Sequence, residues 1–295
     1  SRNEMLPPII MKDQIQAICS RDAEVLRSLL RECFQETIWC PIWLNDSHHG
    51  FEHGFKVMEA VFKLRTQLTS AEQSDMQKEI MALSGPQPKL HLEAALIIAS
   101  LLHDCGRFND DGVIAKKEQG THHLLGADRA RHFCQWLGLE DIRSMVADAV
   151  ESHDFQSQTL TPEMHPPHSI VGRLVQATDQ MGWFHPQSPK RSIAYNEAIG
   201  VPFYDPKLTL EERRAWLPNS HTADVVTVFL FQLFGPRGVD RFGIEAAQTK
   251  VAGYREELEQ EIIRICAERG LETEIQDLLR AWEVPLAKME KNALH

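Results

Sequence analysis

The stretch HLEAALIIASLLHD, residues 91–104, constrains the fold more than any other part of this sequence. With a helical period it is apolar on most faces, which is typical of a helix buried in the centre of a bundle. Gly106 follows closely and is expected to end this helix in a left-handed cap. The run nevertheless finishes in His103 and Asp104, and burying these two side chains costs free energy unless a partner satisfies them.

The rest of the chain also follows a helical period. Apolar residues recur at intervals of three and four in residues 13–36, 55–68, 122–137, 140–153, 169–182, 222–233, 238–269 and 271–282. The segment 183–220 differs because it is rich in proline and aromatic residues, which predicts an ordered loop region with a short helix near 209–216. Since no convincing run of strands is present, the sequence predicts an all-α fold.

Length and composition indicate a globular protein with a substantial core, since the chain has 295 residues and 43% hydrophobic content. We predict a helical extension at 1–44, a core at 45–185, and a loop region with C-terminal helices at 186–295. These C-terminal helices are expected to pack on the core as part of one structural unit, with a homodimer contact as the alternative. The six cysteines are spread without a CxxC pair, which favours free thiols.

Charge and hydropathy exclude several classes of protein. A net charge of −11 argues against broad nucleic-acid binding, because phosphate backbones are held by basic surfaces. The apolar runs are too short for a membrane span, and no secretory signal is visible, so a cytoplasmic location without membrane contact is expected.

Polar residues at the ends of apolar helical faces suggest a metal site. Each one alone is commonly a hydrogen-bonded core histidine or half of an ion pair. Together they would carry a large desolvation cost without a cation, and divalent metals favour this mixture of nitrogen and oxygen donors. One carboxylate at the end of the central helix has two oxygens and could bridge two metals. The six candidates are His53, His103, Asp104, His122, His153 and Asp179.

This ordered set resembles the HD-domain superfamily of metal-dependent phosphohydrolases, in its longer H…HD…H…H…D form. The flanking segments match as well: HGFEHGFKV, LLHDCGRF, THHLLGADRA, VESHD and VQATDQ. The resemblance covers about residues 45–185, and implies an HD-domain-like helical bundle with additional N- and C-terminal helices. It also implies two divalent metal ions, with iron or manganese ahead of magnesium, nickel or zinc. One ion would take His53, His103, Asp104 and Asp179, the other would take His122 and His153, and Asp104 would bridge them.

Two ligand assignments have a neighbouring competitor. His49 competes with His53, and the spacing from His53 to Val57 along one helical face favours His53. His123 competes with His122, and a histidine four residues before Gly126 fits the HxxxG pattern of the family. We therefore expect His53 and His122 to be the ligands.

The resemblance implies hydrolysis of a phosphoester of a small molecule, such as a nucleotide, by metal-activated water. In this interpretation Asp104 and Arg107 are catalytic, and Arg107, Lys116 and Lys117 bind the phosphate, although the two lysines are as readily explained as solvated loop charges. The general acid stays open among Asp110, Asp154, His185 and His123. The aromatic segment 183–216 is expected to select the substrate.

Two other functions stay open at this point. The same six ligands occur in HD proteins of the myo-inositol oxygenase-like type, which hold a di-iron pair and cleave carbon bonds with O₂. A non-catalytic HD module, in which metals hold the fold and the domain binds a nucleotide or a partner, is the third interpretation. Hydrolysis is preferred because Arg107 suits a phosphate group.

Overall fold

The computed structural model describes residues 8–114, 121–155, 165–216, 223–235 and 242–282, without the side chains of 8–13. These residues form α-helices, one 3-10 turn at Cys105–Arg107 and no β-strand, which confirms the all-α class. The helices are α1 (Pro8–Cys19), α2 (Ala23–Cys33), α3 (Trp39–Asn45), α4 (Phe51–Arg65), α5 (Ser70–Ala82), α6 (Pro88–Leu102), α7 (His122–Trp136), α8 (Glu140–Ser152), α9 (Ile170–Trp183), α10 (Ser188–Ala198), α11 (Leu210–Arg214), α12 (Val225–Phe234), α13 (Glu245–Glu268) and α14 (Glu272–Trp282).

The chain divides into two compact units. The first contains Ser1–Met181 and Arg237–Thr249, and the second contains Gly182–Pro236 and Lys250–His295. The division at 1–44, 45–185 and 186–295 stays a prediction from the sequence.

Helix α6 lies at the centre of the first unit, and every residue from 94 to 102 is buried. It packs against α1, α4 and α8, and α7 packs against α8 and the 3-10 turn. Gly54 allows α4 to approach α6 closely, because a Cβ at this position would lie only 2.5 Å from the carbonyl oxygen of Leu101. This approach brings the start of α4 next to the end of α6.

The predicted left-handed cap at Gly106 is wrong. Gly106 has no positive φ and lies within the 3-10 turn, while His103 is the C-cap of α6. Its lack of a side chain matters for a different reason: an added Cβ would lie 1.9 Å from the carbonyl oxygen of His122. Glycine is needed here because the start of α7 sits directly on the turn that follows α6.

Residues 13–36 do not form one continuous helix, although their period is continuous. Arg21 has a φ of 55°, which ends α1, and Asp22 then caps α2 by accepting a hydrogen bond from the backbone N–H of Val25. The sequence pattern missed this break because both helices present apolar residues at the spacing that one helix would show.

In the second unit, α12 is buried along most of its length and packs with the C-terminal half of α13 and with α14. A buried ion pair of 2.8 Å joins Arg213 on α11 to Asp224, the N-cap residue of α12. All six cysteines are free thiols. Among the described helices, none is long and apolar enough to cross a membrane.

Candidate metal centre

Asp104 lies in the middle of a buried cluster of imidazoles and carboxylates. It follows α6 and is 4% exposed. Its Oδ2 atom is 3.6 Å from Nε2 of His53 and 3.6 Å from Nε2 of His103. Its Oδ1 atom is 3.5 Å from Nε2 of His122 and 3.3 Å from Nε2 of His153. The two oxygens of one carboxylate therefore face two different pairs of imidazoles.

Asp179, on α9, joins the first of these pairs. Its Oδ1 atom is 3.4 Å from Nε2 of His53 and 3.3 Å from Nε2 of His103. Two imidazole nitrogens and two carboxylate oxygens thus surround one point between α4, the end of α6 and α9. This arrangement contains four of the six residues that the sequence singled out.

The histidines that end α6 and α8 are held in the same way. Nδ1–H of His103 donates to the carbonyl oxygen of Ser100 at 2.7 Å, and Nδ1–H of His153 donates to that of Val150 at 2.6 Å. A carbonyl oxygen can only accept, so the proton is on Nδ1 and Nε2 carries a lone pair in the neutral ring. That nitrogen points to the cluster in both cases, which is the orientation of a metal-binding histidine.

Asp154 adds a third carboxylate to the cluster. It is 6% exposed, and its Oδ2 atom is 3.4 Å from Nε2 of His122. Sequence reasoning considered Asp154 only as a general acid. The signal for a ligand role was present, because His153 and Asp154 form a second His-Asp pair at a helix end, as His103 and Asp104 do at the end of α6.

The separations between donor atoms fit divalent metal ions. Donors about 2.0–2.2 Å from a common ion in tetrahedral coordination lie about 3.3–3.6 Å from one another. The nitrogen and oxygen pairs around Asp104 and Asp179 are 3.3–3.6 Å apart, and Nε2 of His122 is 3.3 Å from Nε2 of His153. Two imidazole nitrogens at that distance both aim at the same region, which a shared cation would explain.

The charges and hydrogen bonds around Asp104 and Asp179 keep both carboxylates ionised although burial opposes their charge. Burial opposes ionisation of Asp104, but the charges of Arg107, His103 and His49 outweigh it and hold the pKa of this carboxyl well below its usual range. Burial likewise opposes ionisation of Asp179, and the charge of His103 with hydrogen bonds from His103 and His53 lowers its pKa well below the usual range. Both groups therefore offer anionic oxygens at neutral pH.

The two histidines that face Oδ1 of Asp104, His122 and His153, differ in protonation. Burial lowers the pKa of His122, and the charge of Arg107 lowers it further. Burial also opposes the charge on His153, but a hydrogen bond to Asp104 and the charges of Asp154 and Asp104 raise its pKa to about 9. In the metal-free protein, His153 thus holds a proton at the place where a cation would bind.

The competing histidines take different positions. His49 contacts Asp104, one of the two carboxylates near His53, with its Nδ1 atom 2.9 Å from Oδ2 of Asp104. Nε2 of His53 lies 3.6 Å from Oδ2 of Asp104 and 3.4 Å from Oδ1 of Asp179. His123 is buried, with its ring 6.1 Å from that of His122, and it is His122 that approaches Asp104.

Arg107 lies beside the cluster, where its Nε–H donates to Oδ1 of Asp104 at 3.0 Å. Lys116 and Lys117 lie outside the described residues. Among the candidates for a general acid, Asp154 belongs to the cluster, whereas Asp110 is exposed and pairs with Arg129 at 3.1 Å.

Arg129, which sequence reasoning missed, holds the segment that carries Arg107. Its Nη1 atom donates to the carbonyl oxygens of Cys105 and Phe108, both at 2.7 Å, and its guanidinium lies 3.9 Å from the ring centroid of Trp39. Such a buried arginine fixes the backbone on both sides of Arg107. No local pattern predicts these contacts, because they join residues that are distant in the sequence.

Comparison with known proteins gives one match. The family model described as the HD domain matches residues 51–181, a range that contains all six predicted ligands. No curated protein and no solved structure matches the chain.

Proposed function

We propose that this protein hydrolyses a phosphoester of a small molecule at a dinuclear metal site, since residues 51–181 match the family model of the HD domain, which is typical of metal-dependent phosphohydrolases. The observation that carries the proposal is the position of Asp104, whose two oxygens face separate pairs of imidazoles. A bridging carboxylate between two ions has this arrangement.

The residues present fit two divalent ions. His53, His103, Asp104 and Asp179 would hold one ion, and His122, His153 and Asp104 would hold the other, with Asp154 in reach as a further ligand. When bound, such a pair supplies Lewis-acid chemistry, since it lowers the pKa of water toward neutrality and neutralises charge on phosphoryl oxygens. The mixture of imidazole and carboxylate donors suits iron or manganese.

The chain's own residues place the substrate and supply charge. Arg107 is held by Asp104 and lies on a turn that Arg129 fixes, so its guanidinium is a positioned cation beside the ligands. A guanidinium can bind two phosphate oxygens at once, and we propose this role for Arg107. A nucleotide is one substrate that offers such a group.

The test is phosphoester hydrolysis by protein loaded with Mn²⁺ in the absence of oxygen, over a panel of phosphomonoesters and phosphodiesters. We expect turnover that Asp104→Ala reduces by more than about 100-fold, because even outer-shell partners of metal ligands are worth 10–100-fold. Asp128→Asn is the matched control, since Asp128 is exposed on α7 and pairs with Arg131.

Other outcomes would contradict the proposal in distinct ways. Turnover that requires both iron and O₂ would point to an oxygenase of the di-iron HD type. A protein that binds two ions and hydrolyses none of the panel would favour a binding module. Hydrolysis that persists in Asp104→Ala would show that the cluster is not the active site.

A further inference from the structure

A second group of histidines and carboxylates lies outside the cluster around Asp104. Asp148 and Glu151 are on α8, and His165 and His168 are in the segment directly before α9. Ligand atoms of Asp148, His165 and His168 all lie within 4.8 Å of one another. The group is partly open to solvent, with side-chain exposures of 20% for Asp148, 27% for His165 and 69% for His168. The six predicted ligands and the proposed hydrolysis use none of these four residues.

The ring of His165 is oriented for metal binding. Its Nδ1–H donates to the carbonyl oxygen of Pro166 at 2.9 Å, so Nε2 carries the lone pair of the neutral ring. That nitrogen is 3.7 Å from Oδ1 of Asp148 and 3.9 Å from Oε2 of Glu151. A histidine that donates one N–H to a backbone carbonyl and turns the other nitrogen to carboxylates has the arrangement found at metal sites.

His168 approaches the same carboxylate. Its Nδ1 atom is 2.8 Å from Oδ1 of Asp148, and its backbone N–H donates to Oδ2 of Asp148 at 3.2 Å. The rings of His165 and His168 are stacked, with centroids 4.6 Å apart and planes within 3° of parallel.

The local charge also favours a cation. Asp148 and Glu151 contribute two negative charges. Arg131 is 3.8 Å from Glu151 but has a closer partner in Asp128, at 2.7 Å, so Glu151 can turn to a metal without leaving Arg131 unpaired.

We propose that Asp148, His165 and His168, with Glu151 as a fourth ligand, bind a zinc ion. Nitrogen and oxygen donors of a tetrahedral zinc site lie about 3.3–3.6 Å apart. The separations of 2.8, 3.7 and 3.9 Å lie within about half an ångström of this range. Two imidazoles with carboxylate oxygens suit zinc better than magnesium or calcium.

The role of this zinc is structural. It would join α8, whose C-cap is His153, to the start of α9, and α9 carries Asp179 further along its length. A metal that binds only the folded chain stabilises it, so zinc should raise the melting temperature through this site. The central cluster stays free for its own ions.

The test is zinc stoichiometry of the full chain, stripped with chelator, equilibrated with ZnCl₂ and measured by elemental analysis. We expect His165→Gln/His168→Gln to bind one zinc per chain fewer than the original protein, and to lose part of the zinc-dependent rise in melting temperature. His132→Gln is the matched control, because His132 is exposed on α7 and belongs to neither cluster. Asp104→Ala, which removes the central bridge, should keep the zinc at Asp148.

A second measurement needs no variant. Zinc should slow modification of His165 and His168 by diethylpyrocarbonate at least about fivefold, read by mass spectrometry of the peptide that contains them. An unchanged zinc count in a folded double variant, or an unchanged modification rate in the original protein, would overturn the proposal. Either result would leave the function proposed for the Asp104 cluster unaffected.

Discussion

Loading the metal-free protein should release about one proton per chain from His153 at pH 7. Nδ1–H of His153 is donated to Val150, so the second proton of the charged ring is on Nε2, 3.3 Å from Oδ1 of Asp104. A metal ion at this place needs the lone pair of Nε2, and the proton must therefore leave.

The size of the release follows from the raised pKa. With a pKa of about 9, His153 is about 99% protonated at pH 7. A histidine at its ordinary pKa of about 6.5 would be protonated only to about one quarter at pH 7 and would release correspondingly less. His103, whose pKa is also raised by the charges of Asp104 and Asp179 against the effect of burial, adds to the release.

Titration calorimetry with Mn²⁺ in buffers of different ionisation enthalpy measures this number. We expect about one proton or more per chain, and metal affinity that rises about tenfold per pH unit from pH 7 toward about 9 and then levels off. His153→Gln should lower the release by about one proton, whereas His132→Gln should leave it unchanged. A release of about one quarter of a proton, or an affinity independent of pH in this range, would refute the reasoning.

The same ionisation sets the pH dependence of stability in the metal-free protein. The folded pKa of His153 is raised above its unfolded value, so its contribution is complete below about pH 6.5 and is lost as the pH rises through about 9. The metal-free protein should therefore unfold at lower denaturant concentration at pH 10 than at pH 6.5. In the metal-bound protein this dependence should disappear, because His153 then holds no second proton. Equal shifts in both forms would contradict this assignment.

Three substitutions test the surroundings of the cluster. Gly106→Ala should destabilise the protein by about 1–3 kcal/mol or more and weaken metal binding, because the new Cβ would collide with a backbone oxygen at the start of α7. The control is Gly253→Ala, where nothing lies within 4 Å of the added Cβ. It should be neutral or stabilising in the same denaturant titration. Arg107→Ala should lower kcat/KM for a phosphoester by about 10–100-fold without changing metal stoichiometry. If kcat/KM for uncharged esters fell by the same factor, Arg107 would not act through a contact with phosphate. Arg213→Met should cost about 3–5 kcal/mol of unfolding free energy, since it leaves Asp224 buried and unpaired; a loss below about 1 kcal/mol would show that the pair is dispensable.

Local sequence patterns predicted the helices and the ligand candidates because both follow from side-chain polarity and period. The central helix was visible as an apolar run, and its polar end was informative because buried His103 and Asp104 need a partner. Residues such as His53 and Asp179 were found in the same way, as polar groups at the ends of apolar faces.

Features that depend on contacts between distant segments were not predictable. Arg129 donates hydrogen bonds to backbone carbonyl oxygens about twenty residues earlier in the chain, and the spacing of apolar residues does not reveal such contacts. The break at Arg21 leaves the apolar period intact, and the role of Gly106 depends on how closely α7 approaches the turn. Asp154 was visible in the sequence, but its place beside His122 depends on the packing of α7 against α8.

We propose that Asp104 bridges two metal ions, and anomalous diffraction at the manganese edge from crystals equilibrated with Mn²⁺ tests this bridge most directly. We expect two anomalous peaks about 3.5–4 Å apart. One should be ligated by His53, His103 and Asp179, the other by His122 and His153, with one oxygen of Asp104 on each. A single peak, or two peaks that Asp104 does not join, would contradict the account.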